Sequence, residues 1–275
     1  SSMAGSALKA MVSFFTIWQQ DITQEDMDAM DSNFHLAPVV GALIGLVVLI
    51  EAAVLGLLTV HGVYGSSIFT AAVLLATVYA GSRFLHFDGL ADFGDGSIVA
   101  GTREDHIRAL KDTLIGAGGL GVALIATLLN FAEYATAGIF IIVMAPVVEI
   151  LVKNSQVVAA AYGLPSNGMA GKQVRETNGR SLVRSCIISL ILVILFSIIG
   201  AIVGGLVYGH SFFYPMDAVF VALFGLVVSI VVGYVMAIHS NKVFGMVNGD
   251  ILGATHEICR VAAMLVMSIA YGLFV

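Results

Sequence analysis

Charge is what this chain is short of. Of its 275 residues only 11% are Asp, Glu, Lys or Arg, where a soluble globular domain carries about 25%. That scarcity excludes an ordinary water-soluble domain. Cysteine is nearly absent: Cys186 and Cys259 both lie in apolar runs, which excludes a disulfide framework and reads as two small buried hydrophobes. Basic residues are few, 12 against 18 acids for a net charge of −6, and no basic patch interleaves with aromatics. Nucleic acid is therefore excluded as a partner. A cleavable signal peptide is not expected either, because the first long apolar run begins only near residue 37.

What is present is hydrocarbon. The chain is 59% hydrophobic with a mean hydropathy of +1.00. A spanning helix needs roughly 20 apolar residues, and seven segments qualify: 38–60, 66–86, 113–133, 137–158, 185–208, 217–238 and 253–274. Lys and Arg alternate between the connections. Arg103, Arg108 and Lys111 lie in 87–112; Lys172, Arg175, Arg180 and Arg184 in 159–184; Lys242 in 239–252; and Lys9 precedes the first span. The connections 61–65, 134–136 and 209–216 have neither. Positive residues stay on the cytoplasmic side, so the sequence predicts an all-α, polytopic helical bundle in the cell membrane with a cytoplasmic N-terminus. It reads as a single integral membrane domain over 1–275, with an N-terminal interfacial segment (7–35) and a transmembrane bundle (38–274). Residues 7–20 are expected as an interfacial helix anchored by Phe14, Phe15 and Trp18, and 21–31 as a solvated connection. Glu149 and Lys153, at i and i+4, are expected to pair. Arg83, Lys153 and Arg260 are expected to snorkel from helix ends. Gly41, Gly45 and the glycine-rich stretches 116–121 and 200–205 should let helices approach closely.

The acids are concentrated. "RFLHFDGLADFGDG" (83–96) follows directly on the second apolar run. If the second helix continues through it, residues 88, 92 and 95 fall at about 0°, 40° and −20° on a wheel of about 100° per residue. Asp88, Asp92 and Asp95 then share one face, and His86 points away near about 160°. Three anions that close call for a cation, and carboxylate oxygens suit Mg²⁺, with Mn²⁺ as a substitute. Gly89, Gly94 and Gly96 would let a phosphate approach the backbone. Asp112, Asp250 and Glu257 stand at the same predicted side of the membrane, Asp112 and Asp250 as helix caps or as further site residues. Arg103, Arg108 and Lys111 either clamp phosphates or face lipid headgroups. Glu51 and Glu133 lie in spans apart from this cluster.

"HFDGLADFGDG" (86–96) resembles the signature HxDGLADxxDG of the cobalamin synthase family, the adenosylcobinamide-GDP ribazoletransferases. "LKDTLIGAGG" (110–119) resembles the family's KDSxIGxxG segment, with Thr113 and Leu114 departing from the usual Ser and Arg. "NGDILGATHEICR" (248–260) resembles its GDxLGAxxE segment, and "SFFT" (13–16) with "APVVGALIG" (37–45) its opening. "YGLPSNGMAGKQ" (162–173) only loosely echoes the loop after the fourth span. The resemblance implies a Mg²⁺-dependent membrane enzyme that joins adenosylcobinamide-GDP to α-ribazole or its 5′-phosphate and releases GMP at the cytoplasmic face. Carried onto this chain, Asp88, Asp92, Asp95 and Asp112 would hold the metal, with Asp92 and Asp95 catalytic. Lys111, Arg103, Arg108, Asp250, Glu257, His86 and Gly89 would contact substrate. The expected partners are those small molecules and the bilayer, with homo-oligomer formation left open. Two other readings remain at this stage. A CDP-alcohol phosphotransferase also carries a DGxxA motif, but with Arg where this chain has Asp92. An ion-coupled transporter is permitted by Glu51 and Glu149, although transporters usually place their acids near the midplane in repeat-related helices.

Overall fold

A computed structural model of the chain describes residues 2–209 and 214–275. Ser1 and residues 210–213, the middle of the expected connection 209–216, lie outside the described residues. Every regular element described is helical. In chain order the α-helices are α1 (Met3–Phe15), α2 (Gln24–Ser32), α3 (Ala37–Val60), α4 (Ser67–Gly81), α5 (Leu85–Ile98) and α6 (Arg103–Leu110), followed by α7 (Ala117–Thr136), α8 (Ile141–Tyr162), α9 (Gly171–Glu176), α10 (Gly179–Tyr208), α11 (Pro215–Val243) and α12 (Gly249–Phe274). Their starts follow capping chemistry. Thr23 with Asp26, Thr102 with Asp105 and Asn178 with Ser181 form reciprocal capping boxes, and the Asn248 side chain accepts from Ile251 N.

Among the described residues six helices are long and apolar enough to cross a membrane, and a bent pair, α4 with α5, makes up to seven. This is the all-α polytopic bundle the sequence predicts. The expected second span needs correction. It does not run through 66–86: α4 ends at Gly81 and the chain turns 88° before α5 begins. Arg83 and Phe84 make the turn with φ of 55° and 56°, a left-handed conformation that is costly for residues with a Cβ. Arg83 is held there by a helix end rather than by snorkelling. Its guanidinium donates to the Phe14 carbonyl at 3.0 Å and the Ser13 carbonyl at 3.4 Å, at the C-terminus of α1, where a cation complements the helix dipole.

Helix α8 is the axle of the bundle, with every residue from Ile141 to Ala160 buried. Helix α3 lies directly on it: a Cβ at Gly41 or Gly45 would strike the carbonyls of Glu149 and Pro146, as the GxxxG reading anticipates. Gly200 brings α10 onto Ile142 and Val143, and Gly233 brings α11 onto Ser155 and Val158. Gly121 and Gly205 face open space, so close approach does not explain those two.

The N-terminal segment is more embedded than predicted. Residues Ala7, Ala10, Met11 and Phe15 of α1 are buried against the bundle, while Ile17 and Trp18 stay exposed. Phe15 is therefore a core residue, not a lipid anchor; its ring lies 4.2 Å under the Lys153 ammonium. The acidic stretch 21–31 is not a bare connection. It contains most of α2, tied down by Lys9 to Asp26 at 3.4 Å and Lys172 to Asp28 at 2.9 Å.

Candidate active site

Helix α5 carries the acid cluster and presents two chemically different faces. It packs on α12 at a glycine contact. A Cβ at Gly89 would lie 2.8 Å from the Asp250 carbonyl and 3.2 Å from Gly253 Cα. Gly94 meets Gly119 and Val122 of α7, and Gly96 meets Leu110 and Phe244. These glycines therefore serve helix packing. The expectation that they open the backbone to a phosphate fails, because protein already fills the space.

That packing brings carboxylates of separate elements together. The Asp92 and Asp250 side chains are within hydrogen-bonding reach of each other, and Asp88 and Asp95 act on Asp92 through their charge. Asp88 acts on Asp250 in the same way, and Lys111, at the C-terminus of α6, is the cation whose field reaches Asp250. The second apolar run does not continue as one helix, yet residues 88, 92 and 95 do share a helix, because α5 starts at Leu85. Asp95 faces α7. Its Oδ2 accepts from Gly116 N and its Oδ1 from Gly119 N, both at 2.7 Å, so it supplies the anion that the uncapped N-terminus of α7 requires. Asp112 is exposed on the loop before α7, its Oδ1 accepting from Leu114 N at 2.9 Å. It does not cap α7, nor does Asp250 cap α12, where Asn248 has that position. Arg103 is drawn away to the Lys242 carbonyl at 3.1 Å. Arg108 is exposed and pairs with Asp105 of its own helix at 3.5 Å.

On its other face α5 inserts His86 into the bundle. His86 Nε2 lies 2.9 Å from Lys153 Nζ, and its ring stacks on His256 with centroids 3.7 Å apart. Around them Arg260 grips Glu149 with both terminal nitrogens, and Glu257 Oε1 takes His256 Nδ1 at 2.9 Å and Arg260 Nε at 3.5 Å. All six side chains are at most 4% exposed. Lys153 and Arg260 consequently do not snorkel, and Glu149 pairs with Arg260 rather than with Lys153. Of the expected substrate contacts, His86 and Glu257 belong to this buried network, apart from the carboxylate face. The sequence signal for the network is the polar spacing 149, 153, 156 on α8 and 256, 257, 260 on α12, one stripe per helix; His256 and Gln156 carry no formal charge and lie outside the acid-rich stretch 83–96, so composition does not single them out. Glu51 and Glu133 are peripheral, taking hydrogen bonds from Thr77 at 2.8 Å and Ser268 at 2.7 Å.

Among the described residues no group of three or more His, Cys, Asp and Glu side chains is placed to hold a metal ion by itself. The Asp92–Asp250 pair still fits Mg²⁺. That ion is usually held by one or two carboxylates, with water and substrate phosphate completing the shell, and two anions in hydrogen-bonding reach need a proton or a cation between them.

The fold and site define a class: a polytopic helical membrane protein that gathers carboxylates and a lysine at one end of its bundle. The chain matches the family described as cobalamin-5-phosphate synthase over residues 7–268. It belongs to that family. It is similar to the adenosylcobinamide-GDP ribazoletransferase of Methanocella arvoryzae, at 29% identity over 96% of this chain and 97% of the relative. The enzymes of the same name from Methanococcoides burtonii and Methanosarcina barkeri are 24% and 26% identical over 96% of this chain, covering 92% and 91% of their own lengths. No solved structure matches.

Proposed function

We propose that the chain is an adenosylcobinamide-GDP ribazoletransferase of the cell membrane. It condenses adenosylcobinamide-GDP with α-ribazole or α-ribazole 5′-phosphate at the cytoplasmic face and releases GMP. The observation that carries this reading is the meeting of Asp88 and Asp92 on α5 with Asp250 on α12 beside Lys111, in a chain whose curated relatives bear that enzyme's name.

In this reading a ribose hydroxyl attacks the phosphorus on the cobinamide side of the pyrophosphate, and the bond to the GMP oxygen breaks. Asp92 and Asp250 would hold Mg²⁺, or Mn²⁺ in its place. When bound, the ion neutralises charge developing on the pyrophosphate oxygens. Asp88 is exposed and stands beside the pair without sharing its hydrogen bond, so it is the carboxylate left to accept the hydroxyl proton. Lys111 holds the anionic pyrophosphate. Asp95 acts by position: with both oxygens on the N-terminus of α7, it locks α5 against that helix rather than serving as ligand or base.

Purified protein in liposomes, supplied with adenosylcobinamide-GDP, α-ribazole and Mg²⁺, should release GMP and form a product of the joined mass. EDTA should stop the reaction and Mg²⁺ or Mn²⁺ restore it. Asp92→Asn and Asp250→Asn should each lower the rate by roughly 10–100-fold or more. Wild-type rates in both variants, or turnover of a CDP-alcohol instead, would overturn the reading.

A further inference from the structure

A cavity of about 620 Å³ opens between α1, α3 and α4, well within the range of small-molecule sites. It is separate from the carboxylate face: Asp88, Asp92, Asp95 and Asp250 do not line it. Its walls are apolar, from Val12 on α1, Val40 and Ile44 on α3 and Val78 on α4. Its rim carries Leu43 and Val47, 45% and 42% exposed on the outer face of a spanning helix, and Trp18 beyond the end of α1. A residue exposed on a span faces hydrocarbon, so the mouth opens sideways into lipid.

The floor is the buried polar network: His86, Glu149, Lys153, His256, Glu257 and Arg260 all line the cavity. One of its groups is unfinished, and a second has donors to spare. Glu257 is 1% exposed and, among the described residues, its Oε2 has no hydrogen-bond partner. Lys153, also 1% exposed, has three protons to donate; His86 Nε2 is its hydrogen-bond partner and the Phe15 ring lies beneath it. Buried polar atoms without partners are costly and call for a ligand or water. The formal charges of the floor cancel, with Lys153 and Arg260 against Glu149 and Glu257. An anionic head would meet two carboxylates, and a cationic head an ammonium and a guanidinium. A hydroxyl suits both Glu257 and Lys153, since it donates to a carboxylate oxygen and accepts from an ammonium.

We propose that this cavity is a second binding site, entered from the bilayer, for an uncharged amphiphile with a hydroxyl-bearing head, such as a diacylglycerol. The head sits on Lys153 and Glu257 and the apolar body lies between α3 and α4. The site does not depend on the reaction proposed above.

The test uses the full chain in phosphatidylcholine nanodiscs containing a diacylglycerol with a photoreactive acyl chain. After illumination, label should concentrate on peptides of α3 and α4. Unlabelled dioleoylglycerol should reduce it about ten-fold, and the same mole fraction of dioleoyl phosphatidic acid should leave it nearly unchanged, because the anionic head is refused by the carboxylates. Val47→Trp and Leu43→Trp, each filling the mouth from its lipid side, should lower labelling about ten-fold by occupying the ligand's volume. Even label over the outer faces of α10 and α11, or equal competition by phosphatidic acid, would overturn the proposal. So would displacement of the probe by α-ribazole, which would make the cavity part of the transferase site. The competition arms use the unmutated chain and decide the matter even if a tryptophan variant does not fold.

Discussion

Asp92 and Asp95 stand three residues apart on one helix and do different physical jobs. Asp92 confronts Asp250 across the α5–α12 contact, whereas Asp95 is spent on two backbone N–H groups of α7. The two therefore separate by experiment. Asp95→Asn replaces a charged acceptor at a helix N-terminus, so it should cost about 1–2 kcal/mol of stability, read as a lowered Tm together with any loss of rate. Asp92→Asn relieves a like-charge contact and should leave Tm unchanged or raised while activity falls. Equal Tm losses in the two variants would contradict this division. Helical spacing made the shared face legible, because residues 88, 92 and 95 recur at the right period. It did not reveal that Asp95's partners are backbone groups over twenty residues further on, since an uncapped glycine start at 116 has no side chain to announce it.

At the scale of elements, glycine contacts and one unusual carboxyl govern how the helices dock. Gly89→Ala should drive a methyl into the Asp250 carbonyl, costing about 1–3 kcal/mol and separating Asp92 from Asp250; thermal unfolding and GMP release should both register it. Helix α2 offers a pH test. Burial raises the Asp31 carboxyl from 3.8 to about 6, with Glu176 and Asp28 adding to the rise and Lys172 opposing it. The folded chain therefore keeps this proton after the unfolded chain has lost it. Between about pH 4 and 6 its contribution to stability falls as pH rises, and above that window the whole penalty is present. Asp31→Asn should raise Tm at pH 8 and do little at pH 3, below the unfolded carboxyl's pKa; a uniform shift would count against the assignment. The sequence read 21–31 as a solvated connection because its acids are dense. What it could not reveal is that Lys9 and Lys172, far apart in the chain, neutralise Asp26 and Asp28 and leave Asp31 half-buried.

Across the whole molecule, the predicted bundle emerges because length and hydropathy are additive along the chain. Its polar interior does not, because pairing between α8 and α12 depends on contacts over a hundred residues apart. Arg260 is the centre of that interior, bound to Glu149 and Glu257 and 3.4 Å from the Tyr134 hydroxyl of α7. Arg260→Met leaves Glu149 uncompensated and should cost about 3–5 kcal/mol, seen as loss of monodisperse protein on heating. Arg260→Met with Glu149→Met should recover much of it, since both charges are then gone.

The break after Gly81 has a consequence for the lipid itself. Helix α4 has 15 residues, about 22 Å at 1.5 Å per residue, against roughly 30 Å of hydrocarbon. A crossing made by α4 alone leaves the bilayer to thin there by several ångströms or water to reach further in. In the orientation proposed above, the carboxylates of α5 then sit at the edge of a local dent in the membrane. A bulky polar substrate could reach them there without leaving the aqueous side.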